Sequence, residues 1–371
     1  ILRHVVNPKK REAPPAICSS AATKRKKYPF CFYLIAFFRL QPQNMAMIAC
    51  RIVLVSAGVL QAALAWTAST TTTTPAAPVR AAERQKRYGE RLGFPFNLQE
   101  GGPTAEKLFQ LTEAHLREIP FDNLRVHGAN ASPMSLHTAC TSEQLIDHHR
   151  GGVCFELNSL FGDLLENLGY HVSRFPATVL DANSRGDSIK EIPHMALAVS
   201  DKEGQQWIVD VGMGSTSPIN PLAYTLGVEQ KTPEGMRSRL IQDNDQVMLE
   251  VYNLPKKSWM PRLIFSASDA RQPLSPEQER ELETSLYDIF EIGSDFRRMP
   301  VVCKLTRTEM VSLVGGELKV TRNRFGPDIE ATTYDLKTLD EVRNVLSVEF
   351  GIPKKETGFL KVPGLNSPLE N

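Results

Sequence analysis

The sequence predicts an α+β protein preceded by a leader. Three observations carry that expectation. Segments with helical periodicity gather between residues 84 and about 170. Apolar runs of strand length occupy 171 to about 265, and helical and strand-like segments mix from 266 to 360. The chain has 371 residues, more than one ordinary domain needs, and 42% of them are hydrophobic, enough for a real core. A formal net charge of +1 argues against nucleic acid as a partner.

Residues 1–83 are expected to form a disordered leader or targeting segment. Residues 1–44 hold Lys24-Arg25-Lys26-Lys27 and an isolated apolar run from Phe30 to Phe38, and Met45 is expected to be the natural start. Arg51 then precedes an apolar run, Ile52 to Ala65, which closes on Ala63-Leu64-Ala65, the small-x-small ending of a signal-peptidase site. The run is too short to predict a stable membrane span in the mature protein. A threonine run follows, and no acidic residue occurs from Met45 to Ala82, the composition of a transit peptide. Signal plus transit segment resembles the bipartite leader of algae with secondary plastids. Plastid delivery, secretion with a disordered linker and a cytoplasmic location all stay open.

The helical region ends on its most informative stretch, Arg150-Gly151-Gly152-Val153-Cys154-Phe155-Glu156-Leu157-Asn158. Leu157, Leu160, Phe161, Leu164, Leu165 and Leu168 recur at three- and four-residue spacing, and Gly169 follows as a natural helix terminator. Cys154 therefore stands at a helix start, where backbone N–H groups and the helix dipole favour a thiolate. The alternative is a small buried apolar residue, as most free cysteines are. Glu156, in the first turn, suits the dipole in a solvated or supporting role.

The strand region supplies what a nucleophilic cysteine needs, a base and a group to orient it. Ile192-Pro193-His194-Met195-Ala196-Leu197-Ala198-Val199 and Trp207-Ile208-Val209-Asp210-Val211-Gly212-Met213-Gly214 both read as strands, joined by the polar turn Ser200 to Gly204. A hairpin would bring His194 and Asp210 onto neighbouring strands. A histidine beside a proline is more often a surface or satisfied core residue. An aspartate between two valines is rarer, and if buried it requires a partner such as an imidazole N–H. His194 lies 40 residues after Cys154 and Asp210 16 beyond it. Papain-type proteases place the histidine ~130–150 residues downstream, so this order argues against such a protease. Further strands are expected over His171–Leu180 and Gln246–Tyr252. In the last region Ser275-Pro276-Glu277-Gln278 reads as a helix entry with proline at the first position.

The six cysteines, at positions 18, 31, 50, 140, 154 and 303, form no Cys-x-x-Cys pair, so no structural zinc is expected. His148 and His149 are adjacent and would not share a helix face, which favours a solvated surface over a metal site.

The Arg-Gly-Gly-x-Cys-x-Glu-Leu-Asn pattern, the Pro193-His194 pair and Val209-Asp210-Val211-Gly212-x-Gly214 together resemble the arylamine N-acetyltransferase family. Ile119-Pro120-Phe121-Asp122-Asn123-Leu124 resembles its Ile-Pro-Phe-Glu-Asn-Leu. Tyr88-Gly89-Glu90-Arg91-Leu92-Gly93 resembles its opening helix, and Thr338 to Val342 through Phe350-Gly351-Ile352 its closing one. The resemblance spans about residues 84 to 355. It implies a helical bundle (84–170) carrying the nucleophile, a β-barrel (171–265) carrying His194 and Asp210, and an α/β lid (266–371), with a papain-like Cys154–His194–Asp210 triad. It further implies that Arg150 and Asp122 pair to lock the Gly-Gly turn. The chain departs from the family over Tyr287–Phe296, where the family's Ser-Thr-x-Pro-x-Ser-x-Phe stretch would stand, and Met213 replaces a larger or polar residue. No coenzyme-contacting side chain is carried over from that lid.

The activity implied is transfer of an acetyl group from acetyl-CoA, a co-substrate rather than a bound cofactor, to an arylamine, hydrazine or N-hydroxyarylamine. An ordinary thiol, with a pKa near 8.5, is only about 3% ionised at pH 7, so the histidine must take its proton. An acetyl-cysteine intermediate implies ping-pong kinetics. Thiolate chemistry also favours a reducing compartment, plastid or cytoplasm. Three alternatives stand beside it: a related acyl transfer or amide closure with another acyl group, hydrolysis, and a non-catalytic binding protein on the same fold.

Overall fold

The computed structural model describes residues 77–94, 100–127, 138–181, 190–288 and 295–365, so the expectations for 1–76, and most of the divergent stretch within Tyr287–Phe296, lie outside the described residues. The described residues from 81 onward fall within one compact unit.

Helix α1 (Ala77–Arg91) begins upstream of residue 84 and ends at Leu92-Gly93, where glycine takes a φ of 65°. Helix α2 (Ala105–Glu118) is opened by Thr104, whose hydroxyl accepts from the Lys107 N–H at 3.2 Å. Leu108, Leu111 and Leu116 of α2 share a core with Tyr88 and Leu92 of α1. Pro120 disfavours helical geometry at Ile119. The chain then forms strand β1 (Phe121–Asp122), although this stretch reads as part of the helical region. Its partners are Cys303 and Val302, far along the chain, and no local pattern announces so distant a pairing. A short helix α3 (Thr138–Ser142) passes into a π-turn over Glu143–Asp147.

Helix α4 (Cys154–Asn167) follows the Gly-Gly turn as the spacing predicts. Its apolar residues Leu157, Leu160, Phe161, Leu164 and Leu165 are buried. Gly169 takes a φ of 90°, and the N–H groups of Gly169 and Tyr170 return to the carbonyls of Glu166 and Leu165. This pattern is a Schellman stop, which a side chain at that φ would strain.

An eight-stranded antiparallel sheet comes next. It runs β2 (His171–Asp181), β3 (Lys190–Ser200), β4 (Gln206–Val209), β5 (Leu222–Ala223), β6 (Gln230–Lys231), β7 (Arg237–Asp243), β8 (Gln246–Asn253) and β9 (Ser258–Ser266), in spatial order β5-β4-β3-β2-β9-β8-β7-β6. The sheet curls around Phe175, Ala196, Ala198, Leu240, Val247, Leu249, Leu263 and Phe265. Its two edges meet through one side chain. The Gln230 amide accepts from the Ala223 N–H at 2.9 Å and donates to the Ala223 carbonyl at 2.8 Å, pairing as another strand would. In the β3–β4 turn the Asp201 carboxylate accepts from the Glu203 and Gln205 N–H groups and from the Trp207 indole, which tightens the hairpin.

The last region holds helix α5 (Pro276–Asp288), the single turn α6 (Asp295–Arg298), strands β10 (Val301–Leu305), β11 (Glu309–Val314), β12 (Glu317–Arg322) and β13 (Glu330–Asp335), and helix α7 (Leu339–Val348). Ser275 and Gln278 cap α5 reciprocally, as Thr338 and Glu341 cap α7. The strands form a five-stranded antiparallel sheet, β1-β10-β11-β12-β13, to which the N-terminal half contributes its edge. Val342, Val345 and Leu346 of α7 pack on Val302, Leu313, Leu318 and Val320 of that sheet. Among the described residues no helix is long and apolar enough to cross a membrane.

Candidate active site

The site is built where α4, β3 and the loop after β4 converge. Cys154 is the first residue of α4, and Val153 before it is extended, with φ −92° and ψ 169°. The thiol is buried and forms no disulfide. His194 lies mid-strand in β3, opposite Ala177 of β2, and is 2% exposed. Its Nε2 lies 2.6 Å from Asp210 Oδ2, and the ring also hydrogen-bonds the Cys154 side chain. With Nε2 committed to the carboxylate, Nδ1 is the nitrogen left to face sulfur. The structure thus brings together all three side chains that the sequence singled out.

Asp210 is not within a strand. Pairing of β4 with β3 ends at Val209↔Leu197, and Asp210 opens a turn in which its own Oδ1 accepts from the Gly212 N–H at 2.8 Å. That departure suits the chemistry. A strand residue would spend its backbone on the ladder, whereas a turn residue gathers backbone donors around its carboxylate.

Burial alone would drive the His194 imidazolium down. Electrostatic interaction with Asp210 and Cys154, with hydrogen bonds to both, outweighs burial and raises His194 to about 10. The histidine is therefore a proton holder at neutral pH. Its positive charge is hydrogen-bonded on both flanks within an apolar surround of Phe155, Met195, Leu282 and Leu286, with Phe121, Val126, Leu274 and Phe296 partly buried beside them.

Asn158 belongs to the same motif, but sequence reasoning gave it no role. It sits one turn after Cys154 on α4, fully buried. Its Nδ2 donates to the Met195 carbonyl at 2.7 Å and to Asp210 Oδ1 at 3.0 Å, and its Oδ1 accepts from the Val211 N–H at 2.9 Å. One amide joins the helix of the thiol, the strand of the imidazole and the turn of the carboxylate. The i, i+4 spacing from Cys154 is the signal that could have found it, because it places both side chains on one helix face.

Gly212 and Gly151 allow the close approach. A Cβ on Gly212 would lie 2.6 Å from Cys154 Cα, and one on Gly151 would lie 2.2 Å from the Pro120 carbonyl oxygen. Asp122 Oδ2 accepts from the Gly151 N–H at 2.9 Å and its Oδ1 from the Leu124 N–H at 3.0 Å. Burial pushes the Asp122 carboxyl up, those two hydrogen bonds and Arg125 oppose it, and it settles at about 6.

The expected Arg150–Asp122 pair is not formed. Arg150 turns to Glu356 and Gln144, and Asp122 spends its oxygens on backbone N–H groups, the aspartate being one methylene shorter than the glutamate of the resembling motif. Glu156 is not solvated. It is 1% exposed, paired with the buried Arg125, and caps α4 through the Val153 N–H at 3.2 Å. Arg125 attracted no attention in the sequence, because a lone arginine in a loop carries no pattern. His148 reaches Glu356 at 3.0 Å, so it too has a specific partner.

With that geometry in place, the comparisons with known proteins are specific. A family model described as N-acetyltransferase matches residues 104–357. The arylamine N-acetyltransferase / N-hydroxyarylamine O-acetyltransferase of Salmonella typhimurium is 37% identical over 150 residues, covering 40% of this chain and 51% of that protein. The chain thus spans about half the length of the first curated relatives it matches. Arylamine N-acetyltransferase 2 of Rattus norvegicus is 25% identical over 279 residues, covering 71% of this chain and 92% of that one. Among solved structures, the arylamine N-acetyltransferase of M. tuberculosis superposes with a TM-score of 0.62 at 26% identity, covering 73% of this chain and 95% of that one. The Mycobacterium marinum enzyme in complex with CoA superposes with a TM-score of 0.62 at 24% identity, over 73% and 93% of the two chains.

Proposed function

The chain belongs to the arylamine N-acetyltransferase family, and from that premise we propose that it moves an acetyl group from acetyl-CoA to an arylamine, hydrazine or N-hydroxyarylamine through acetyl-Cys154. The observation that carries the reading is the hydrogen-bonded series Cys154–His194–Asp210 at the start of α4, with the imidazole raised to about 10.

His194 takes the Cys154 proton, and Asp210 fixes the ring with Nδ1 toward sulfur and stabilises its charge. The sulfur attacks the thioester carbonyl. As the tetrahedral intermediate collapses, the CoA sulfur departs and accepts the proton from His194. The amine then attacks acetyl-Cys154, and the proton it sheds returns through His194 to the Cys154 sulfur. The first N–H groups of a helix have no intrahelical acceptor, so those of Cys154 and Phe155 are the donors for the carbonyl oxygen as it gains charge. Each such donor is worth about 2.7–4 kcal/mol of barrier in comparable sites. Residues 84–170 then deliver the nucleophile, 171–265 the base and its carboxylate, and 266–371 the lid. The acceptor class follows the names of the relatives, and acetyl-CoA fits the CoA carried by the M. marinum structure. The apolar and aromatic side chains around Cys154 also suit an aromatic acceptor.

The test is direct. The full chain is mixed with acetyl-CoA and weighed by mass spectrometry, then exposed to an arylamine. The expected result is one acetyl group on Cys154, stable in buffer and discharged by amine, with none on Cys154→Ser. An adduct that clears equally fast without amine would make the protein a hydrolase. An adduct only with a bulkier thioester would make it a different acyltransferase, and no adduct with any thioester would leave only a binding protein.

A further inference from the structure

The turn ahead of Cys154 is held from two sides. On one side Gly152 pairs with the Pro120–Asp122 backbone, its N–H donating to the Pro120 carbonyl at 3.3 Å and its carbonyl accepting from the Asp122 N–H at 2.9 Å, while the Gly151 N–H donates to the Asp122 carboxylate at 2.9 Å. On the other side Arg150 is gripped by the C-terminal segment. Its Nε and Nη2 each lie 2.8 Å from Glu356 Oε2, and His148 Nδ1 lies 3.0 Å from Glu356 Oε1. Arg150 Nη1 donates to Gln144 Oε1 at 3.2 Å, and the guanidinium lies over the Phe359 ring, 5.2 Å from its centroid. The pair is shielded, with side-chain exposures of 16% for Arg150 and 10% for Glu356.

Glu356 is itself anchored. It closes a 3-10 turn over Lys354–Glu356, next to the buried Thr357. Arg343 donates to the Thr357 and Gly358 carbonyls at 3.3 and 3.0 Å, and Leu360 and Val362 are buried in the core of the five-stranded sheet. Burial alone would raise the Glu356 carboxyl, but His148 and Arg150 outweigh it and hold the group below the usual carboxylate range. Glu356 thus presents a fixed negative charge to the arginine ahead of the glycines.

Two glycines in series impose little on the backbone by themselves, since glycine has the widest φ/ψ freedom of any residue. The place of Cys154 must be set by anchors outside the glycines, and Asp122 does not reach the arginine. We infer that Glu356 is a positioning residue of the acyl-transfer site: by fixing Arg150 it sets the approach of Cys154 to His194. It touches neither substrate nor reacting atoms. The inference rests on Cys154 as the nucleophile of the proposed reaction.

The test compares the full-length protein with Glu356→Gln, which keeps shape and gives up charge, and Glu356→Ala. Two readouts are taken and scaled to the folded fraction measured by near-UV circular dichroism, so that loss of folded protein drops out. The first is Cys154 acetylation by acetyl-CoA, expected to slow on the order of tenfold with KM for acetyl-CoA unchanged. The second is alkylation of Cys154 by iodoacetamide against pH, whose midpoint is expected to move up as the thiol loses its contact with His194. Adding Arg150→Met to Glu356→Gln should change neither readout further, since the two act as one unit. Unchanged acetylation rate and unchanged midpoint in Glu356→Gln overturn the inference, as does a loss that vanishes on normalisation. The alkylation arm needs no acyl donor. If the wild type accepts no acetyl group, the proposed function fails while the positioning role is still decided.

Discussion

Asn158 Nδ2 lies 3.0 Å from Asp210 Oδ1, so the carboxylate that steadies the imidazole is itself held by the helix that carries the thiol. The three side chains of the proposed triad come from three separate segments. This amide is what keeps them in one register, since it also grips the Met195 carbonyl next to His194 and the Val211 N–H next to Asp210.

Asn158→Ala should therefore hurt twice. It strands the Met195 carbonyl and the Val211 N–H in a buried site, at about 1–3 kcal/mol for each unsatisfied group. It also frees Asp210 to turn, and turnover should fall on the order of 100-fold, more than the lost stability explains at 25 °C. Urea unfolding and acetyl transfer at saturating substrate measure the two effects separately. Full activity in a merely less stable protein would remove Asn158 from the positioning network.

Gly212→Ala places a methyl 2.6 Å from Cys154 Cα and 3.0 Å from its Cβ, against backbone that cannot yield. The loop must move away from α4, at about 1–3 kcal/mol of stability. Because the Gly212 N–H also donates to Asp210, the acetylation rate should drop along with the melting temperature. A normal melting curve with normal rates would contradict the close approach.

Removing Arg125 tests the buried pair under the nucleophile helix. Arg125→Ala leaves the Glu156 carboxylate without its cation at 1% exposure, a change that costs about 3–5 kcal/mol when one member of a buried pair is lost. Replacing both residues with apolar ones should recover much of the stability, though not the Val153 cap that Glu156 supplies. Denaturation of the single and double variants gives the answer.

His194 makes stability depend on pH with a definite sign. Its folded value, about 10, lies above the ordinary 6.5, so the folded state holds its proton more tightly than the unfolded chain. The contribution is complete below about 6.5 and is lost as pH climbs toward and through about 10. His194→Gln should flatten the decline in unfolding free energy between pH 6 and 10 relative to wild type. Parallel curves for the two proteins would show that the imidazole carries no such linkage.

Much of the site was legible because it is written in short spacings. The heptad-like leucines after Cys154, the glycine that stops the helix, and two apolar runs around a polar turn each have a local physical cause, and α4, β3 and β4 follow them. What stayed hidden is non-local. Strand β1 exists because Phe121 and Asp122 meet Cys303 and Val302, and nothing in a six-residue window says so. The partner of Arg150 is hidden for the same reason: Glu356 lies 206 positions away, and Asp122, nearer in sequence, gives its oxygens to the Gly151 and Leu124 N–H groups. The Gln230 seam of the barrel is equally invisible, since a glutamine on a two-residue strand looks like any surface amide.

The two-residue strand β1 has a mechanical consequence. Asp122 pairs with Val302 on one flank and gives its N–H to the Gly152 carbonyl on the other, so the terminal sheet and the Cys154 sulfur are joined in series through a few peptide groups. Strain in that sheet and the position of the Cys154 thiol therefore share one short backbone path, through Phe121, Asp122 and Gly152.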